Sequence, residues 1–399
     1  MSSALSLVGF GIVLVLVQVV AALPWVAVLN WDLIKRAFAT DPVLFFKFAL
    51  PVLALGAVAG LISPFFNLDP SSMAIWGGIY GATLHAQLTV DFFVLVFAVL
   101  LPVWPKGAAV GLAAFREGVR QPMFWLFVVA GLVSMLAMPF LPYFTFGEDF
   151  KMVKDLGYAT IMLCAGAFGV LNASTSISEE IEGRTAITLM SKPVSRRQFL
   201  IGKFVGIVLA CLVMTGILSW FFDGMLLFKL KYDSEPLSVP DWLMGVRPQW
   251  DAALGESPAA YLWGAVWWFS HVIAYLPGVI LGFSQAMVLV AIAVALATRL
   301  PMIVNVVCCA VVFFLGNLTP VLEQVSQHRY ALVRFMAQLF DNLLPSLDFF
   351  NLGASIARDT PPPAQEFAVY IGSVSLYAVL YTAIALLFGL ILFEDRDLA

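Results

Sequence analysis

The sequence predicts an all-α integral membrane protein, a polytopic helical bundle, on three observations. Hydrophobic residues make up 62% of the 399 and charged residues only 12%, against roughly 45–50% and about 25% in a soluble domain. The apolar residues gather into long runs, each able to cross a hydrocarbon core of about 30 Å as a helix. Between those runs, shorter stretches repeat apolar residues at helical spacing. The partner implied first is therefore the lipid bilayer. A net charge of -4, scattered along the chain, gives no basic footprint for nucleic acid. Cys164, Cys211, Cys308 and Cys309 all fall inside apolar runs and read as packing thiols rather than a metal site.

Taken in order, the runs predict nine spans, near 5–29, 43–63, 79–102, 122–143, 157–176, 199–222, 272–298, 300–317 and 368–393. The first has no basic n-region and is too long for a signal-peptide core, so it reads as a span. Most of the 21 Lys and Arg fall on one side if the N-terminus is outside and the C-terminus cytoplasmic, as the positive-inside rule requires. Residues 258–298 are apolar for longer than one upright span needs. Pro277 and Gly278 are expected to divide them into an interfacial or re-entrant piece, rich in Tyr and Trp, and a true span. Residues 321–345 read as an amphipathic surface helix through Leu332, Phe335, Met336, Leu339, Phe340 and Leu343. The outer loop 223–260, with Trp242 and Trp250, reads equally as a folded lid or a linker. Residues 107–121 read as a second amphipathic helix, on the inner side. There Val110, Leu112, Ala113 and Phe115 face lipid while Arg116, Glu117 and Arg120 stay wet. The chain thus divides into an N-terminal three-span membrane unit, 1–104, and a six-span unit, 105–399.

Charges cluster in one place, Asn172 to Lys203. Ser176-x-x-Glu179 has the form of a capping box and predicts a helix start, with Glu179, Glu180 and Glu182 in the first turn, where the helix dipole favours acids. Gly183, Arg184 and an apolar stretch follow. Lys192-Pro193 then breaks the helix, and Arg196, Arg197 and Lys203 lead into the next run. A short helix, acidic in front and basic behind, has the make-up of a docking surface for another protein. An ordinary positive-inside loop has the same composition.

Few polar groups lie within the spans. Asp91 is deep in one, where a charge costs roughly 2.5–3.5 kcal/mol on insertion scales, and it shares a helical face with Gln87 and Thr83. That face reads as a substrate or proton site, or as a hydrogen-bonded seam between helices. His85 and His271 read as packing residues, Lys47 as a side chain snorkelling to the inner interface, and Gly56-x-x-x-Gly60 as a site of close helix packing.

From about residue 105 onward the chain resembles the type-2 family of ATP-binding-cassette (ABC) permeases, the ABC-2 exporters. The resemblance rests on the elbow AAFREGVRQPMF, the loop ISEEIEGRTAITLMSKPVSRRQFLIGKFVG, helical structure at 321–345 and the ending LFEDRDL. It implies a six-span core whose elbow helix carries Phe115, Arg116 and Arg120. It also implies that residues Glu179 to Arg197 form a coupling helix seated in a groove on a separate ABC ATPase subunit. A second permease chain would complete the assembly, as a homodimer or a heterodimer, with no cofactor of its own. The chain itself has no GxxxxGK[ST] phosphate loop; its IGKFVG lacks the glycine cradle. The competing classes are a secondary transporter, for which Asp91 is the candidate carrier, and a membrane-embedded enzyme or maturation factor. The enzyme class needs a catalytic set, and neither HExxH nor GxSxG is present.

Overall fold

The computed structural model describes residues 10–24, 69–141, 149–182, 194–233, 239, 241–318, 331–332, 334–335, 338–339, 344–351 and 364–394. Among these there is no strand. The helices are α1 (Phe10–Pro24), α2 (Pro70–Val103), α3 (Pro105–Arg120), α4 (Pro122–Ala137), α5 (Asp149–Glu182), α6 (Arg196–Tyr232), α7 (Asp241–Leu254), α8 (Glu256–Ala297), α9 (Met302–Gly316) and α10 (Ala364–Glu394). Six of the described helices are long and apolar enough to cross a membrane: α2, α4 with the turn after it, α5, α6, α8 and α10. The protein is an all-α, multi-pass membrane protein. Its lipid-facing surfaces show it residue by residue: Val369, Leu376, Leu380, Ile384, Leu387 and Ile391 of α10 are exposed, as a bilayer permits and water does not.

The chain forms two compact units. One comprises Met1–Pro102 with Pro236–Ala274, the other Val103–Glu235 with Tyr275–Ala399. In the first, α2 crosses the front half of α8 through glycines. A Cβ on Gly77 would collide with the Tyr261 carbonyl, and one on Gly264 with that of Ala74. Such contact needs residues without side chains. Trp267 stacks on His271 with ring centroids 5.6 Å apart, the packing role expected for that histidine.

In the second unit Phe124, Phe168, Phe199, Leu218, Phe222 and Val294 form a fully buried core contributed by α4, α5, α6 and α8. The elbow helix α3 lies on α6 along a stripe of small residues, Gly107, Ala108, Gly111, Ala114 and Gly118. Gly206 of α6 meets the Gly111 carbonyl so closely that a Cβ there has no room. This corrects the expected facing. Val110 and Phe115 pack against the core instead of lipid, because the small-residue stripe draws the helix onto α6. Arg116 and Arg120 are exposed.

Three boundaries differ from expectation. Pro277 and Gly278 do not divide 258–298, since α8 runs unbroken with Pro277 inside it. A proline in a membrane helix is tolerated when neighbours satisfy the freed backbone groups. Forty-two residues at about 1.5 Å each give a helix of roughly 63 Å, twice the hydrocarbon thickness. α6 continues to Tyr232 and α7 follows, so most of 223–260 is helix rather than loop. α5 begins at Asp149 and ends at Glu182, so Ser176 is interior to a helix and starts none. The expected span 43–63, with Lys47 and the Gly56–Gly60 pair, lies outside the described residues, as does most of 321–345. The described positions from 331 to 339 are helical.

Candidate functional site

The charged segment is held between the foot of α5 and the start of α6. α5 carries Glu179 and Glu180 in its last turn, not its first. A partly buried carboxylate needs a counter-charge. For Glu180 it comes from Lys203, one of the few buried cations, only 4% exposed. Its ammonium donates to Glu180 Oε1 at 2.7 Å and to Ser176 Oγ at 2.8 Å. Glu117 Oε2 of α3 stands 3.6 Å away. A buried ammonium is costly unless paired and hydrogen-bonded, and here it bonds two acceptors on α5 and has the Glu117 carboxylate of α3 as a second counter-charge. The elbow, the helix entering the segment and the helix leaving it are thereby tied at one point. Ser176 thus serves a lysine clamp with Glu180, one residue beyond the Glu179 of the capping-box spacing, rather than an N-cap.

The true capping box lies at Ser195. Its Oγ accepts from the Gln198 backbone N–H at 3.2 Å, while Gln198 Oε1 accepts from the Ser195 N–H at 3.1 Å. This fixes the entry into α6. Next to it, Arg196 donates to the carbonyls of Phe393 and Glu394, both at 2.7 Å, and its guanidinium sits 5.5 Å from the Phe393 ring centre. Arg299 donates to the Leu392 carbonyl at 2.8 Å. Two arginines thus bond carbonyls in the last described turn of α10. Arg197 is exposed.

Three further bonds brace the same end of α5, two directly and one through Asn305. Ser178 Oγ donates to the Leu300 carbonyl at 3.1 Å, and Asn305 Nδ2 donates to Ser174 Oγ and to the Ala293 carbonyl, each at 2.9 Å. The foot of α5 is therefore bonded to α6, to the turn before α9, to α9 itself and, through Asn305, to α8. Of the expected site residues, Glu179 is exposed, Glu180 is clamped and Glu182 closes α5. Gly183, Arg184, Lys192 and Pro193 lie outside the described residues.

Gln87 and Asp91 belong to the other compact unit and to a different constellation. Asp91 is buried, and among the described residues neither carboxylate oxygen has a hydrogen-bond partner. Gln87 is half-buried, and Thr83 is exposed and donates to the Ile79 carbonyl of its own helix. No bond among the described residues joins Asp91 into a hydrogen-bonded seam.

Lys203, Glu117 and Ser176 were not singled out from sequence as a group, although Lys203 within an apolar run was the available signal. Asp155 and Asp223 also escaped notice. Helix boundaries drawn too short placed both in loops, whereas they lie within α5 and α6, Asp223 buried. Asp155, Tyr158, Gln285 and Asn317 line a cavity of about 110 Å³. Gln285 Nε2 donates to Asn317 Oδ1 there at 3.4 Å.

A family model for ABC-2 family transporter proteins matches residues 109–398. The chain belongs to the ABC-2 transporter family. It is thus a permease component of an ABC transporter, a family that works with ABC ATPase subunits. The match begins within the elbow helix and takes in the lysine clamp, the capped start of α6, the arginine-bonded carbonyls of α10, and the segment between α5 and α6. The first 108 residues lie outside it. No curated protein matches the chain.

Proposed function

We propose that this chain is the transmembrane subunit of an exporter and that it receives the work of ATP hydrolysis through Glu179–Arg197. A separate ATPase subunit docks on that segment, with Glu179, Glu180, Glu182, Gly183, Arg184, Lys192, Pro193, Arg196 and Arg197 forming or bracing the contact. Two permease chains and two ATPase subunits make up the assembly, with the segment and the C-terminus cytoplasmic and the N-terminus outside. The observation that carries this reading is the Lys203 clamp. A displacement of the segment acts on α5 and α6 together, and Glu117 brings the elbow into the same charge cluster. Closing the ATPases on ATP then biases a two-state bundle, as any ligand that favours one state does. Phe115 holds the elbow to the core, while Arg116 and Arg120 stay at the cytoplasmic surface.

The test is affinity purification in mild detergent with identification of the proteins retained, comparing the wild type with Glu180→Lys. The expected result is an ABC ATPase that accompanies the wild type and is lost, or reduced at least tenfold, in the inserted variant. An ATPase retained equally by both excludes Glu180 from the contact. A chain that purifies alone in both removes the proposal.

A further inference from the structure

α1 and α2 each present an apolar stripe at helical spacing, and both stripes line one open groove of about 610 Å³. Leu16, Val17 and Val20 line it from α1, and Leu84, Leu88 and Leu95 from α2. Facing stripes of this kind ordinarily interdigitate, yet Leu16, Val17, Val20, Leu88 and Leu95 remain exposed. Among the described lining residues a single group is charged. It is Asp91, 4% exposed, with no hydrogen-bond partner for either oxygen among the described residues. An ionisable group within a membrane marks a functional site unless something pairs it, and a buried carboxylate without partners is costly.

We propose that this groove binds an amphipathic molecule that carries a protonated primary or secondary amine on a single apolar chain, with the ammonium bonded to Asp91. The two orphaned oxygens require two N–H donors and a positive charge. A protonated amine supplies both, and a quaternary ammonium supplies only the charge. The remaining walls are hydrocarbon and match an alkyl body, and the volume lies within the ~300–1,000 Å³ usual for ligand pockets. Asp91 sits near the middle of the apolar run 79–102, roughly 17 Å from either end at ~1.5 Å per residue. A phospholipid would have to bring its phosphate to that depth beside the carboxylate, whereas an ammonium brings only the opposite charge. A neutral acyl chain fills the groove but leaves the carboxylate unpaired. The site lies outside residues 109–398, the part matched to the family, and stands apart from the ATPase contact proposed above.

The test is saturable binding of dodecylammonium to the purified full chain in lipid nanodiscs, with empty discs subtracted. Dodecanol and dodecyltrimethylammonium serve as comparison ligands, and Asp91→Asn and Asp91→Glu as variants. The expected result is saturable binding of the primary amine, at least tenfold weaker in Asp91→Asn and largely kept in Asp91→Glu. Dodecanol should show no saturable component, and the quaternary cation should bind more weakly than the primary one. Without ligand, Asp91→Asn should melt no lower than the wild type, because it removes an unpaired buried charge. Equal affinity in Asp91→Asn, or equal binding of dodecanol, overturns the proposal. So does a fall in the ligand-free melting temperature of Asp91→Asn, which would reveal a partner for Asp91 within the chain.

Discussion

Lys203 separates what the membrane tolerates from what it requires. Within an apolar run a lysine near the interface is expected to snorkel to water. This one is buried instead and bonded to Ser176 and Glu180. Lys203→Met therefore leaves Glu180 without its donor. Because the Glu180 side chain is only partly buried, the loss should be about 1–3 kcal/mol, below the ~3–5 kcal/mol typical of a fully buried pair that loses one member. The double variant Lys203→Met/Glu180→Leu should recover most of the melting temperature, because it removes both charges together. Glu117→Ala should cost no more than ~1 kcal/mol, since that carboxylate is largely exposed and stands 3.6 Å away. Thermal unfolding in detergent checks all three. If the double variant melts lower than Lys203→Met, the clamp is not the reason for the burial.

At the scale of elements, a glycine seam decides how the elbow meets α6. Gly206→Val should drive α3 off α6, because the added atoms meet the Gly111 backbone rather than a side chain able to swing away. Overpacking of this kind costs about 1–3 kcal/mol, and its readout is trypsin cleavage at Arg116 and Arg120, faster than in the wild type. The start of α6 makes a gentler test. Ser195→Ala removes the capping box and should cost ~1 kcal/mol, with Ser195→Asp close to neutral. The helices themselves were largely legible in the sequence, since apolar runs long enough for a bilayer have few alternatives. Their ends were not. Asp223 looks like the start of a loop when only hydropathy is weighed, yet α6 carries it inward for nine more residues, to Tyr232. Pro277 looks like a break for the same reason, because local propensity overlooks what neighbouring helices supply. Ser176 misled in the opposite direction: the four residues match a capping box in sequence only, and its oxygen accepts from a lysine 27 residues away, beyond the reach of any local pattern.

For the whole molecule, the elbow helix was readable because its composition and order lie along one stretch of chain, as the charges of 172–203 also do. The clamp that joins them was not, because it is assembled from α3, α5 and α6. Nor was the membership of Pro236–Ala274 in the N-terminal unit, which rests on glycine contacts between α2 and α8 that have no local signature. The central claim is that force enters at Glu179–Arg197 and spreads through Lys203. It is tested most directly by ATP hydrolysis of the assembled permease–ATPase complex in proteoliposomes, comparing the wild type with Lys203→Met after both are shown to retain equal ATPase subunit. The account predicts that the permease-dependent part of hydrolysis falls at least tenfold in the variant while assembly persists. Full permease-dependent hydrolysis in Lys203→Met would contradict it and make the clamp a matter of stability alone.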